Sequence, residues 1–166
     1  MARYTLKYAL LAASVACMPV LAAAQTVAPA AASAYVSPHV QHAPYGEVRI
    51  VVPLTTNDHN IQQMKLRNVA NAIDAGAQWK GKFVVTFVMY AKGISFLETP
   101  DDATRKQIDA LKAKGVRFEV CNNTLREQGV NFHDLYHVSE ADIVPSGFGE
   151  VAWLQAREHY VIDPVD

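Results

Sequence analysis

Apolar residues in this chain come in short β-rich runs separated by stretches of helical period. Val48-Arg49-Ile50-Val51-Val52, bounded by Gly46 and Pro53, has the pattern of a buried strand. Thr55-Thr56-Asn57-Asp58 supplies helix caps. Ile61, Met64, Val69 and Ile73 then fall on or near one face of a helix ending near Gly76. The run from Phe83 to Tyr90 is apolar on both faces, as at the centre of a parallel sheet covered on both sides. After a loop at Ala91 to Ser95, Thr99-Pro100-Asp101-Asp102 combines a cap residue, a first-turn proline and acids at the dipole's positive end. It predicts a helix through Ile108 and Leu111 to Lys114, stopped by Gly115. Val116 to Val120 alternates as a third strand. A helical turn from Thr124 to Gln128, closed by Gly129, comes next, and then a weaker strand at Ala141 to Val144. Pro145-Ser146-Gly147 opens a helix carrying Val151, Trp153, Leu154 and Ala156, and Tyr160 to Ile162 is a final short strand before Pro164.

Strands alternating with helices predict one α/β domain with a mainly parallel sheet and right-handed crossovers. Such sheets place ligands and chemistry at the carboxyl ends of their strands. Cys121 falls at one of those ends, as do the loops beginning at Leu54, Ala91 and Pro145.

The N-terminal stretch follows another logic. Arg3 and Lys7 precede an apolar run from Tyr8 to about Ala23, and Ala22-Ala23-Ala24 offers small residues for cleavage after Ala24. Residues 1–24 are read as a signal peptide, which places the mature chain in the periplasm or outside the cell. The run is short for a membrane span and is broken by Pro19, so no span is expected after cleavage. A lipoprotein cut before Cys17 would need a large aliphatic where Ser14 stands. Residues 25–45, rich in Ala, Pro, Ser and Val, read as a linker, and 46–166 as the domain.

The 15 basic and 16 acidic residues give a formal charge of −1, and losing Arg3 and Lys7 makes the mature chain more acidic. With no basic run and no aromatic-basic interleaving, nucleic acid is not an expected partner. Once the leader is removed, Cys121 is the lone cysteine, and no internal disulfide can form. Its thiol is reactive, paired with another chain, or packed as a small hydrophobe. A strand end gives it a cleft to face, and the N–H groups of the following turn would favour the thiolate.

His133 and His137, four residues apart, would share a face on a helix. With Cys121 they could make a Cys/His metal site, or one of them could accept the thiol's proton. His59, after the first strand, is a third candidate at that edge. Asn122, Asn123 and Thr124 are read as capping the turn. Ser146 lacks the glycine two residues earlier that a nucleophile elbow needs, and helix capping explains it, with anion binding as a lesser option. There is no phosphate loop and no dinucleotide fingerprint, and neither a cofactor nor a resident metal is expected.

With these residues in view, the chain from about Glu47 to Pro164 resembles the DsrE-like (DsrEFH-like) family of sulfur-relay proteins, which includes the DsrE and TusD subunits. The resemblance is carried by Val120-Cys121-Asn122-Asn123-Thr124-Leu125-Arg126-Glu127-Gln128-Gly129-Val130 and by the Val144-Pro145-Ser146-Gly147 turn, which is similar to that of small stand-alone members. It implies a three-layer α/β/α sandwich with a mainly parallel five-stranded sheet, association into trimers or hexamers, and a sulfurtransferase-like role. Cys121 would carry sulfur as a persulfide between a donor and an acceptor protein. Two departures stand out: an export signal in a family of cytoplasmic relays, and Asn122-Asn123 where small apolar residues are usual. The alternative is a non-catalytic oligomeric module binding a small ligand or metal through Cys121 and nearby histidines.

Overall fold

The computed structural model describes residues 42–163. The signal segment, its cleavage point and most of the linker lie outside the described residues. The elements in order are β1 (Gly46–Leu54), α1 (His59–Gln78), β2 (Gly81–Met89), α2 (Ser95–Glu98), α3 (Asp102–Ala113), β3 (Arg117–Cys121), α4 (Asn122–Gln128), β4 (Ile143–Val144), α5 (Gly147–Arg157) and β5 (Val161–Ile162). The strands pair in the order β4-β3-β2-β1-β5, every pair parallel. Among the described residues no helix is long and apolar enough to cross a membrane.

Each face of the sheet has its own core. On one face Leu66 and Val69 of α1 and Ile108 and Leu111 of α3 pack on Val52, Leu54, Phe87 and Phe118. Register pairs Phe87 with Phe118, and their rings stack 5.0 Å apart, centroid to centroid. On the other face Val151 and Leu154 of α5, with Tyr160, cover Val51 and Val88. The result is a three-layer α/β/α sandwich with, among the described residues, one helix on its thinner side. A buried ion pair between Lys65 Nζ and Asp163 Oδ2, 2.8 Å apart, ties α1 to the residue after β5, whose N–H donates to Val51 O.

The structure revises several sequence expectations. β1 runs through Pro53 to Leu54 rather than ending at Val52. Val51 turns its carbonyl toward the β5 side, so Pro53, two residues on, has its missing N–H on that side, beyond the short β5. α1 passes Gly76, which acts in packing rather than as a stop: a β-carbon there would meet the Phe83 ring at 2.6 Å. The cap of α3 is Asp101, whose carboxylate accepts the Thr104 N–H at 2.7 Å, and Thr99 and Pro100 lie before the helix. β3 extends one residue further than expected and takes in Cys121, while α4 begins at Asn122 rather than Thr124. Tyr45 packs its ring near Trp79 and Phe83, so side-chain packing begins just before β1.

The segment expected as a loop after β2 is a 3-10 turn, Ala91–Ile94, leading directly into α2, with Ile94, Phe96 and Leu97 buried. It lies against the end of β1, and a β-carbon at Gly93 would fall 1.8 Å from the Leu54 carbonyl oxygen. Backbone cannot yield there as a flexible side chain could. Gly93→Ala is therefore expected to cost at least about 2 kcal/mol and to lower Tm by about 8 °C or more in a thermal melt. An unchanged Tm would contradict this packing.

Candidate functional site

The loops after β1, β2 and β3 lead to the α1/α3 side, and α4 sends Leu125 into that core. The loop after β4 leads to α5 on the opposite face. Between β3 and β4 the connections thus diverge, the place where open parallel sheets carry their sites. Cys121 ends β3 in extended backbone and is the N-cap of α4, so it stands at that divergence.

Its side chain faces the start of α5. A β-carbon at Gly147 would lie 3.1 Å from Cys121 Cβ and 2.9 Å from both Cβ and Cδ1 of Tyr90. Glycine is what lets the helix begin this close. As a neutral thiol Cys121 makes no capping hydrogen bond, but the groups around Sγ are arranged for a charged sulfur. Burial, with the residue only 4% exposed, pushes the thiol's pKa up. The Thr124 hydroxyl and the backbone N–H groups of Gly147, Thr124 and Asn123 oppose this and prevail, so the pKa lies below the ordinary thiol value. Thr124 Oγ1 accepts the Ala91 N–H at 3.0 Å, which leaves its own proton for the sulfur. Tyr90 titrates above the usual phenol range, through burial first and then the neighbouring thiolate.

The other residues singled out from sequence separate into distinct roles. Ser146 is the N-cap of α5 and accepts the Gly149 N–H at 3.2 Å, the capping role expected of it. Asn123 supplies a backbone donor to the sulfur, while Asn122 borders a shallow cleft with Leu125, Arg126 and Phe132. His133 and His137 do not share a helix face. The first sits in a 3-10 turn, Phe132–Asp134, and the second has a left-handed φ of 54°. Both are exposed. His137 pairs with Asp109 of α3 at 3.0 Å and stacks on Tyr136, and His133 lies on the Phe132 ring. Among the described residues no three of His, Cys, Asp and Glu are grouped to hold a metal ion. His59 begins α1 and lines a separate cavity of about 340 Å³ with Gln62, Ser95 and Asp101.

Sequence reasoning passed over Glu119. It points to the same face of β3 as Cys121 and is only 7% exposed. Arg117 Nη2 contacts its Oε1 at 3.1 Å, but its Oε2 is buried without a partner. Burial pushes its pKa up to about 7; Arg117 opposes the shift, and Glu150 and Asp142 add to it. Polar alternation in a strand ordinarily marks a solvent face, and the covering helix lies some thirty residues further on.

A cysteine under the start of one helix and beside the start of another, at the carboxyl edge of a parallel sheet, defines a thiol-bearing α/β domain. Residues 53–164 match the model of the DsrE/DsrF-like family, and the chain belongs to that family, which makes it a sulfur-relay-related protein at family level. Among solved structures it is similar to MTH1491 from Methanobacterium thermoautotrophicum, a protein of unknown function. The identity is 27% and the TM-score 0.59, covering 70% of this chain and 97% of that one. BT1422 from Bacteroides thetaiotaomicron, a conserved protein of unknown function, is similar at 14% identity and a TM-score of 0.49, covering 69% of this chain and 91% of that one. No curated protein matches the chain.

Glu119 makes stability depend on pH. The unfolded chain releases this proton near pH 4.5 and the folded chain near 7. The stabilisation is complete below the lower value and is lost as pH rises through the upper one. Glu119→Gln should gain up to about 3 kcal/mol over the native protein at pH 8 and little near pH 4.5, as read in urea melts. Equal destabilisation at both pH values would contradict the assignment.

Proposed function

We propose that this protein handles sulfur through Cys121, accepting it as a persulfide from a donor and passing it to an acceptor thiol, with no cofactor. The observation that carries this reading is the set of donors from two helix starts and Thr124 that lowers the thiol pKa against burial. The thiolate is the nucleophile that sulfur transfer requires. It attacks the outer sulfur of a donor persulfide, forming the Cys121 S–S bond as the donor's S–S bond breaks, and the donor leaves as a thiolate. The same donors would then hold the charged terminal sulfur. Shielding of Cys121 from solvent suits a group that must keep a persulfide away from bulk thiols.

The reading includes export behind a cleaved leader and self-association. Exposed Phe148 and Trp153 on α5, with Val161 and Ile162 at the β5 edge, are apolar surface that a trimer or hexamer would cover, and they favour that part of it.

Incubation with a persulfide donor should add 32 Da, the mass of one sulfur atom (about 32 in round terms), to the peptide holding Cys121. Reductant should remove the addition, and Cys121→Ser should abolish it. Absence of the adduct, under conditions that persulfidate a free thiol of ordinary reactivity, would overturn the proposal.

A further inference from the structure

Two proton-carrying side chains of β3 lie in one row beneath one helix. Cys121 has its β-carbon against the first residue of α5, Gly147. Glu119, two residues earlier on the same face, feels the charge of Glu150, three residues further along α5. Two residues of strand span about 6.8 Å. Glu119 is buried with one oxygen bonded and the other unpartnered, a costly arrangement for a residue that only packs. Arg117, its one ionic contact among the described residues, is shared with Thr86 Oγ1 of β2 at 3.3 Å.

We propose that Glu119 is a positioning residue for the Cys121 thiol, its carboxyl charge setting how readily the sulfur ionises. This rests on Cys121 being the working thiol. The groups facing the row are Arg117 on β3 itself, Glu150 on α5, Asp142 in the turn before β4, and Tyr90 at the end of β2. Of these only Arg117 is cationic, so it only partly offsets a charge on Glu119. While Glu119 keeps its proton, the Thr124, Gly147 and Asn123 donors act on the sulfur without a competing anion. Once it ionises, a second negative charge stands in the same poorly solvated row. With two strand residues between them, and with Arg117 offsetting part of it, that charge disfavours the thiolate. The thiol's ionisation therefore follows the protonation state of Glu119 as well as its own donors.

The test is the pH dependence of iodoacetamide alkylation of the full chain, followed by mass spectrometry on the tryptic peptide Phe118 to Arg126, which holds Cys121 and no other cysteine. The native protein should show two inflections. Glu119→Gln should show one and should react about threefold faster at pH 8. Glu119→Asp, which restores a carboxyl, should bring the second inflection back. Glu119→Leu should behave as Glu119→Gln does, and it serves if the amide variant does not fold. Identical profiles in the native and neutral variants would overturn the role of Glu119 and leave the thiol reading standing. If Cys121 reacts only in denaturant in every variant, both fall.

Discussion

The site depends on a competition at one sulfur atom. A buried thiol resists ionisation, because the charged form loses its water. Here the loss is offset by the Thr124 hydroxyl and by backbone N–H groups from the starts of α4 and α5. Backbone donors held by helices need no reorganisation when charge appears, so they act on a thiolate more effectively than mobile side chains would. The arrangement exists only because α5 begins in contact with β3. Gly147 permits that approach, and Tyr90 and Cys121 fill the space around it.

The rest of the fold holds these pieces in register. The larger core, under α1 and α3, fixes β1, β2 and β3 relative to one another. The Ala91 N–H bonded to Thr124 Oγ1 links the turn after β2 to the turn after β3, so the threonine that serves the sulfur is itself oriented by the neighbouring strand's connection. On the thinner side α5 is the single covering helix among the described residues, and it bridges from β4 at one edge to β5 at the other. Polar residues under it, Thr86 and Glu119 among them, are buried by that one layer. A chain devoted only to stability would fill such positions with apolar side chains.

Much of this was legible in the residues. β-branched runs, cap residues and the Gly115 and Gly129 stops mark the alternation of strand and helix, because those signals are local. Cys121 at a strand end, and Ser146 as a cap, follow from the same local chemistry, and the family resemblance supplied the three-layer arrangement. What escaped were features that depend on what packs where. Pro53 lies within a strand because β5 is too short to reach it. Gly76 and Gly93 look like a stop and a loop residue, yet each makes room for a neighbour distant in sequence. The spacing of His133 and His137 suggests one helical face, but the 3-10 turn holding His133 ends at Asp134, and Leu135 is already extended. Glu119 looks like a solvent-facing residue of an alternating strand until α5 is laid over it.

The most direct measurement is the pKa of Cys121 itself, followed through its Cβ chemical shift in a carbon-13 pH titration. A midpoint below that of the same cysteine in the unfolded chain is the expected result, since the donors around Sγ outweigh its burial. A midpoint above that value would show that burial prevails and that Cys121 is a packed core residue.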